Sequence, residues 1–172
     1  VHFERFRRLT RQRRAATILS NGVVREAKAL LDLGPHELPI AGRVVCAVAV
    51  SRFVPFLRLH FWGAGVPDST PGPDYTLEIE GPLRIITAER EWSIVPQAGP
   101  DRAYMLLVTK KVTRARAFDD GGLEVDFSDG DRLLVPPHEY EPWQLNGEDD
   151  SLFVSVAGGG LAVWDPLPKK LE

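Results

Sequence analysis

The sequence predicts a mainly β protein: two pseudo-repeated antiparallel three-stranded meanders packed as a sandwich or partly open barrel, a C-terminal β-hairpin, and one or two N-terminal helices. Three observations carry this expectation. Apolar and polar residues alternate through several short runs, as they do when successive strand side chains face opposite ways. Clusters of Gly, Asp and Pro separate those runs and supply the backbone conformations of tight turns. A weak internal duplication relates two sets of runs.

The clearest stretch is 119–143, DDGGLEVDFSDGDRLLVPPHEYEPW. Leu123, Val125 and Phe127 give one apolar face, with Glu124 and Asp126 on the other. Asp119-Asp120-Gly121-Gly122 precedes this strand, and Ser128-Asp129-Gly130-Asp131 turns it into the return strand Leu133-Leu134-Val135. Pro136-Pro137 ends the return strand, because proline cannot donate to a ladder.

The other elements follow in chain order. Residues 1–17 carry Arg5, Arg7, Arg8, Arg11, Arg13 and Arg14, with Phe3, Phe6 and Leu9 at three-residue spacing. This pattern fits a basic amphipathic helix that touches nucleic acid or an acidic partner, and fits better a solvated, partly frayed leader. Across 22–33, Val23, Val24, Ala27, Leu30 and Leu31 form one helical stripe, capped by Ser20 or Asn21 and closed by Gly34-Pro35. Residues 1–37 are therefore expected as a basic helical appendage and 38–168 as a single β-rich domain. Arg43–Val50 is almost wholly apolar, which suits a strand covered on both faces. Leu57, Leu59 and Phe61 alternate with Arg58 and His60, and Leu77 and Ile79 with Glu78 and Glu80. Gly81-Pro82 leads into Leu83–Thr87; Trp92, Ile94 and Val95 make a further strand, and Arg102–Val108 a short helix. After Trp143 comes a polar loop, 146–150, and then the closing hairpin of Leu152–Ala157 and Leu161–Trp164 about Gly158-Gly159-Gly160.

The duplication aligns Arg43–Val50 with Lys111–Phe118, matching Val44 with Val112, Ala47 with Ala115 and Ala49 with Ala117. Leu57–Phe61 then aligns with Leu123–Phe127, and Thr76–Ile79 with Arg132–Val135. Two units that each have one oily face satisfy each other by packing those faces together. The matched alanines are expected to allow close approach between the sheets. The outward faces differ, Arg58 and His60 in one copy against Glu124 and Asp126 in the other, and divergent surfaces on a shared frame suit a binding scaffold.

Composition sets the class. A chain of 172 residues with 44% hydrophobic and 26% charged content is that of an ordinary soluble domain. No apolar run approaches the roughly 20 residues of a membrane helix, so no membrane partner is expected. Cys46 is the single cysteine and cannot form an internal disulfide, which points to a reducing compartment. Residues 1–34 carry eight Lys/Arg against three Asp/Glu, and the remainder thirteen against twenty-one, within a net charge of −3. A basic lead on an acidic body bears on partners rather than on fold.

Catalytic signatures are sparse. Gly158-Gly159-Gly160 lacks the lysine and following helix of a phosphate loop. No Gly-x-Ser-x-Gly elbow occurs. His2, His36, His60 and His138 are scattered without metal-ligand spacing, and Asp126, Asp129 and Asp131 do not have the spacing of a calcium loop. No cofactor is expected. The strongest functional stretch is His138-Glu139-Tyr140-Glu141-Pro142-Trp143, where aromatic rings with polar tips stand beside carboxylates.

The pattern of Gly122-Leu123, Phe127, Asp129-Gly130, Leu133, Val135-Pro136, Tyr140-Glu141, Trp143 and Val163-Trp164 resembles an uncharacterised family of small actinobacterial β-rich domains. Gly42-Arg43-Val44 and the run from Leu77 to Gly81 fit its first half, so the resemblance spans roughly 38–165. Gly121-Gly122 stands where Asp-Gly is usual. The resemblance supports the fold and implies a role of the immunity or antitoxin kind.

The leading expectation is thus a non-enzymatic cytosolic protein-binding domain. Its acidic-aromatic surface, Glu124, Asp126, Asp129, Asp131, Glu139, Tyr140, Glu141 and Trp143, would meet a basic surface on a protein partner. One alternative is nucleic-acid binding through Arg5, Arg7, Arg8, Arg11, Arg13 and Arg14. Another is a small-molecule binder or enzyme with a pocket between the meanders, near His60, His138 or Glu141.

Overall fold

The alternating runs form strands. The structure, a computed structural model, describes residues 17–20, 23–26, 28–29, 35–50, 56–63, 73–96 and 102–164. The N-terminal part contributes β1 (Thr17–Ser20), β2 (Val23–Glu26), β3 (Lys28–Ala29) and β4 (His36–Glu37). The first meander is β5 (Val44–Val50), β6 (Leu57–Trp62) and β7 (Tyr75–Ile79), followed by β8 (Leu83–Ile86) and β9 (Glu91–Ile94). A 3-10 helix, Arg102–Leu107, leads to the second meander of β10 (Val112–Ala117), β11 (Leu123–Phe127) and β12 (Arg132–Val135). Then come β13 (Trp143–Gly147), β14 (Leu152–Ser155) and β15 (Leu161–Trp164).

The strands make two antiparallel sheets packed face to face and not closed into a barrel. One has the order β3-β15-β14-β13-β7-β6-β5 and the other β4-β10-β11-β12-β8-β9, while β1 and β2 pair separately. Leu57, Leu59, Phe61, Leu77, Ile79 and Leu145 of the first sheet share one core with Leu83, Ile85, Leu123, Val125, Leu133 and Val135 of the second. Each such side chain contributes about 1.5–3 kcal/mol on leaving water, so the shared inner faces hold the sandwich together.

The repeat is longer than its sequence trace. After β7 the chain crosses to the opposite sheet, where β8 pairs with β12; after β12 it crosses back, where β13 pairs with β7. Each meander is therefore completed by the strand that follows the other one. The two copies also meet at a corner. Val45 N–H donates to the Lys110 carbonyl at 2.9 Å, and Val112 N–H to the Arg43 carbonyl at 2.8 Å.

That corner corrects the alignment of the copies. Val45 occupies the place of Val112, and both strands bulge just beyond it, between Val45 and Ala47 and between Val112 and Arg114. The structural register thus differs by one residue from the match of Val44 with Val112. A one-residue slip reverses the face of every side chain in a strand. Ala115 and Ala117 accordingly lie in the core, whereas Ala47 and Ala49 are exposed and Val48 and Val50 turn inward. β5 is not covered on both faces as expected: it ends its sheet, and Ala47 and Ala49 are exposed on its outer side.

Where the two crossovers pass, Glu80 and Gly81 N–H groups both donate to the Pro142 carbonyl, at 2.9 and 3.0 Å. A Cβ on Gly81 would sit 2.6 Å from Pro142 Cβ. Neither backbone can retreat without losing those bonds. Gly81→Ala is expected to lower unfolding free energy by about 1–3 kcal/mol, measured by denaturant titration. An unchanged midpoint would show that the crossing yields easily.

The N-terminal expectation is corrected. Within 22–33 the described residues form strands, β2 paired with β1 and β3 paired with β15. β-branched Thr17, Ile18, Val23 and Val24 lose side-chain freedom in a helix and fit a pleated strand. Asn21-Gly22, which separates the paired segments, is the dipeptide most favoured between hairpin strands. Since β3 extends the seven-stranded sheet and β4 pairs with β10, residues before 38 are not a purely helical appendage. The Arg-rich residues 5–14 lie outside the described residues. The expected polar loop at 146–150 begins instead as the end of β13.

Candidate functional site

The expected binding residues separate onto two sides of the sandwich. Glu124 and Asp126 lie on the outer face of the six-stranded sheet, where strand pairing sets arginines beside them. Arg116 Nη2 is 3.0 Å from Glu124 and 3.9 Å from Asp126, and Arg132 Nη1 is 3.6 Å from Glu124. Burial and then the neighbouring Glu124 charge raise the Asp126 carboxyl above its ordinary range, against the pull of Arg116 and Arg132. This face is a charge ladder satisfied within the chain.

Asp129 and Asp131 are also held internally. Both bond Lys110, Asp131 at 2.8 Å, and the Asp131 residue is only 9% exposed. Burial works against the Lys110 charge, but hydrogen bonds and charges from the two aspartates outweigh it and raise its pKa. Burial likewise pushes the Asp129 carboxyl up, and the Lys110 and backbone hydrogen bonds bring it below the ordinary value. Stability from Asp129 is therefore present above its unfolded pKa and lost as pH falls through the folded one. Stability from Lys110 is present below its unfolded pKa and lost as pH rises through the folded one. Lys110→Met should lose about 1–3 kcal/mol near neutrality, because it leaves the nearly buried Asp131 carboxylate without its cation, and should weaken both declines of the stability–pH curve. Urea titrations across pH measure this; a Lys110→Met curve parallel to that of the parent would refute it.

The second set builds a groove. The β12–β13 crossover has seven residues, 136–142, where the matching β7–β8 crossover has three, 80–82. Pro136-Pro137 stops β12, and Pro142 is pinned under Glu80 and Gly81, so the intervening residues arch over the outer face of the seven-stranded sheet. The His138 and Tyr140 rings brace that arch with centroids 4.0 Å apart, and Gly158 N–H donates to the His138 carbonyl at 3.4 Å. Beneath lies a groove of about 180 Å³ lined by Glu78, Glu80, Tyr140, Glu141, Gln144 and Val154, with Trp143 grazing its floor. Tyr140 is 40% exposed and Glu139 and Glu141 are exposed, although Glu139 does not line the groove.

Trp143, which the sequence left open between a surface anchor and a cap on an open end of the sheets, is a core residue. It is 2% exposed, and its Nε1–H donates to the Gly121 carbonyl at 2.9 Å. Ser155 Oγ donates to the same carbonyl at 2.9 Å. The indole thus ties the turn before β11 to the opposite sheet.

Glu78, Glu80, Gln144 and Val154 join the site only through strand pairing. Glu78 lies between Arg58 on β6 and Gln144 on β13 in register. Arg58 Nη2 bonds Glu78 Oε1, and Gln144 Nε2 donates to Glu78 Oε2 at 2.6 Å. One signal for Glu78 and Glu80 was available, since their alternation with Leu77 and Ile79 turns both outward. Nothing in the chain's order placed them beside Glu141. His60 stands farther along this face, its ring 3.2 Å from Thr76 Oγ1. Burial and then Arg58 lower its pKa, partly offset by Glu78, so the neutral ring is favoured.

The groove opens on the outside of a sheet, whereas the space between the meanders is filled by the apolar core. Among the described residues no three His, Cys, Asp or Glu side chains converge as metal ligands, and no helix is long and apolar enough to cross a membrane. No curated protein and no solved structure matches the chain. A family model does match, over residues 36–165, the span that runs from β4 to just past β15 and contains both meanders, both crossovers and the groove. The chain accordingly belongs to DUF6188, a family of unknown function.

Proposed function

We propose that this chain is a non-enzymatic cytosolic binding domain, of the immunity or antitoxin kind, that holds a basic segment of a protein partner in the groove under the β12–β13 crossover. The observation that carries the proposal is the convergence of Glu78, Glu80 and Glu141 with Tyr140 in one groove. It forms where one copy of a duplicated frame has a longer crossover than the other. Clustered carboxylates raise the local concentration of cations and speed their encounter. Tyr140 adds a flat face and a polar tip, the combination that concentrates binding energy at interfaces.

The test is affinity capture from the native host by the parent chain and by a Glu80→Gln/Glu141→Gln variant. The variant should retain the parent's melting temperature and lose about ten-fold in affinity for the captured partner, equivalent to roughly 1.4 kcal/mol. The parent's affinity should also fall with added salt. A partner held equally by both chains would remove the groove from the function.

A further inference from the structure

We infer that the open edge of β5 is a self-association surface, along which a second copy of this chain adds its own β5 antiparallel and joins two seven-stranded sheets into one. The two sheets end in four edge strands, β3, β5, β4 and β9. An edge strand leaves backbone N–H and C=O groups without ladder partners, and proteins ordinarily blunt it by shortness or charge. β3 and β4 are two residues long, and β9 has four residues that include Glu91, paired with Arg84. β5 has seven residues, VVCAVAV, with no charge and no proline. Its bulge, between Val45 and Ala47, lies at the end already covered, where Thr109 N–H donates to the Val45 carbonyl at 2.8 Å and Val45 N–H to Lys110. Beyond the bulge, residues 47–50 pair regularly with β6 and, among the described residues, have no strand on the other side.

Symmetry identifies the occupant. A two-fold axis brings one patch against itself, so the patch must be complementary to itself. Directly opposed residues of an antiparallel pair share a face. Along β5 this sets the exposed Ala47 and Ala49 against the alanines of the copy, and Val48 and Val50 against its valines. No like charges meet across the axis, and the nearest cation on β6, Arg58 opposite Ala49, is already paired with Glu78. Val48 and Val50 are only partly buried where the core reaches this edge, and the valines of the copy close that side. The 3-10 helix packs against β5 and presents Met105, 65% exposed, and Leu106, 42% exposed. A stable dimer buries about 800 Å² on each partner, more than a short run of strand pairing supplies. Met105 and Leu106 add apolar area beside the strand, and the sum fits a dimer that dissociates in the micromolar range.

Sedimentation velocity of the full chain over a wide range of concentration measures the association, with melting curves to check that each variant is folded. The parent should pass from monomer to dimer within the micromolar range. Ala47→Glu/Ala49→Glu alters positions that are already exposed, so it should fold, yet it sets like charges around the axis and should weaken the dimer about ten-fold or more. Ala47→Lys/Ala49→Lys should do the same. An equimolar mixture of these two variants should recover the dimer, because opposite charges then meet. Ala47→Thr/Ala49→Thr, neutral and suited to a strand, should stay within about two-fold of the parent. A parent that is monomeric throughout overturns the inference, and so does a dimer that Ala47→Glu/Ala49→Glu leaves intact. A mixture of the two charged variants that stays monomeric shows that the β5 edges do not meet, with the same result. Dissociation by Ala47→Thr/Ala49→Thr as well would place the contact on the outer face rather than the edge and remove the strand pairing.

Discussion

Trp143→Ala should unfold this domain far more readily, lowering stability by about 3–5 kcal/mol, the usual loss when a buried aromatic is truncated. The side chain is among the largest fully enclosed in the core, and its ring leaves a cavity at the join between the β12–β13 crossover and the seven-stranded sheet. The indole N–H is also one of two donors on the Gly121 carbonyl. Trp143→Phe separates the two effects: it keeps most of the apolar surface, loses the donor, and should cost about 1–3 kcal/mol. Guanidinium titration of the three proteins measures the series. A loss below about 1 kcal/mol for Trp143→Ala would return the residue to a surface role, in which binding falls and stability does not.

Gly121→Ala should cost about 2–4 kcal/mol, from two sources that act together. Gly121 has φ +86°, and a side chain there costs about 1–2 kcal/mol in conformational energy. Its Cβ would also lie 2.7 Å from Ser155 Oγ, one of the donors on the Gly121 carbonyl. Relieving that contact breaks the Ser155 bond or shifts the turn away from Trp143. Two outcomes distinguish the sources. If Ser155→Ala in the Gly121→Ala background restores stability, the clash dominates. If it does not, the backbone conformation dominates, and Gly121→Asn, which tolerates positive φ better, should be milder than other substitutions. A Gly121→Ala protein as stable as the parent would contradict both.

The groove depends on the same two positions. Trp143 and Gly121 hold the base of the crossover from inside, while Pro142 is held by Gly81 from the side. A variant that loosens this base should lose binding together with stability. Replacing the exposed Glu141 should lose binding alone. Measuring both quantities on the same variants therefore sorts structural from recognition residues without knowledge of the partner.

Much of the fold was legible because period-two alternation is a local property. Leu57-Arg58-Leu59-His60-Phe61 and Leu123-Glu124-Val125-Asp126-Phe127 state their faces within five residues, and both are strands with those faces buried. The 22–33 stripe misled because Val23, Val24 and Ala27 satisfy a helical spacing by chance, while the hairpin signal of Asn21-Gly22 depends on a partner strand outside that window. β13 was missed as a strand because Trp143-Gln144-Leu145 is a short alternating run beside a proline, and its pairing partner, β7, is more than sixty residues away in the chain.

What the sequence determined by itself is the β class, the two meanders, the closing hairpin and a segment at 138–143 rich in aromatic and acidic side chains. Each follows from residues that are near neighbours along the chain. Only the tertiary structure decided on which side of the sandwich each acid stands and which acids converge. Glu124 and Asp126 look like Glu78 and Glu80 in any local window, yet cross-strand pairing sets the first pair among Arg116 and Arg132 and the second beside Glu141. The exchange of strands between the two sheets, together with the unequal lengths of the crossovers, brings those carboxylates together, and both are properties of which strands pair rather than of which residues follow one another.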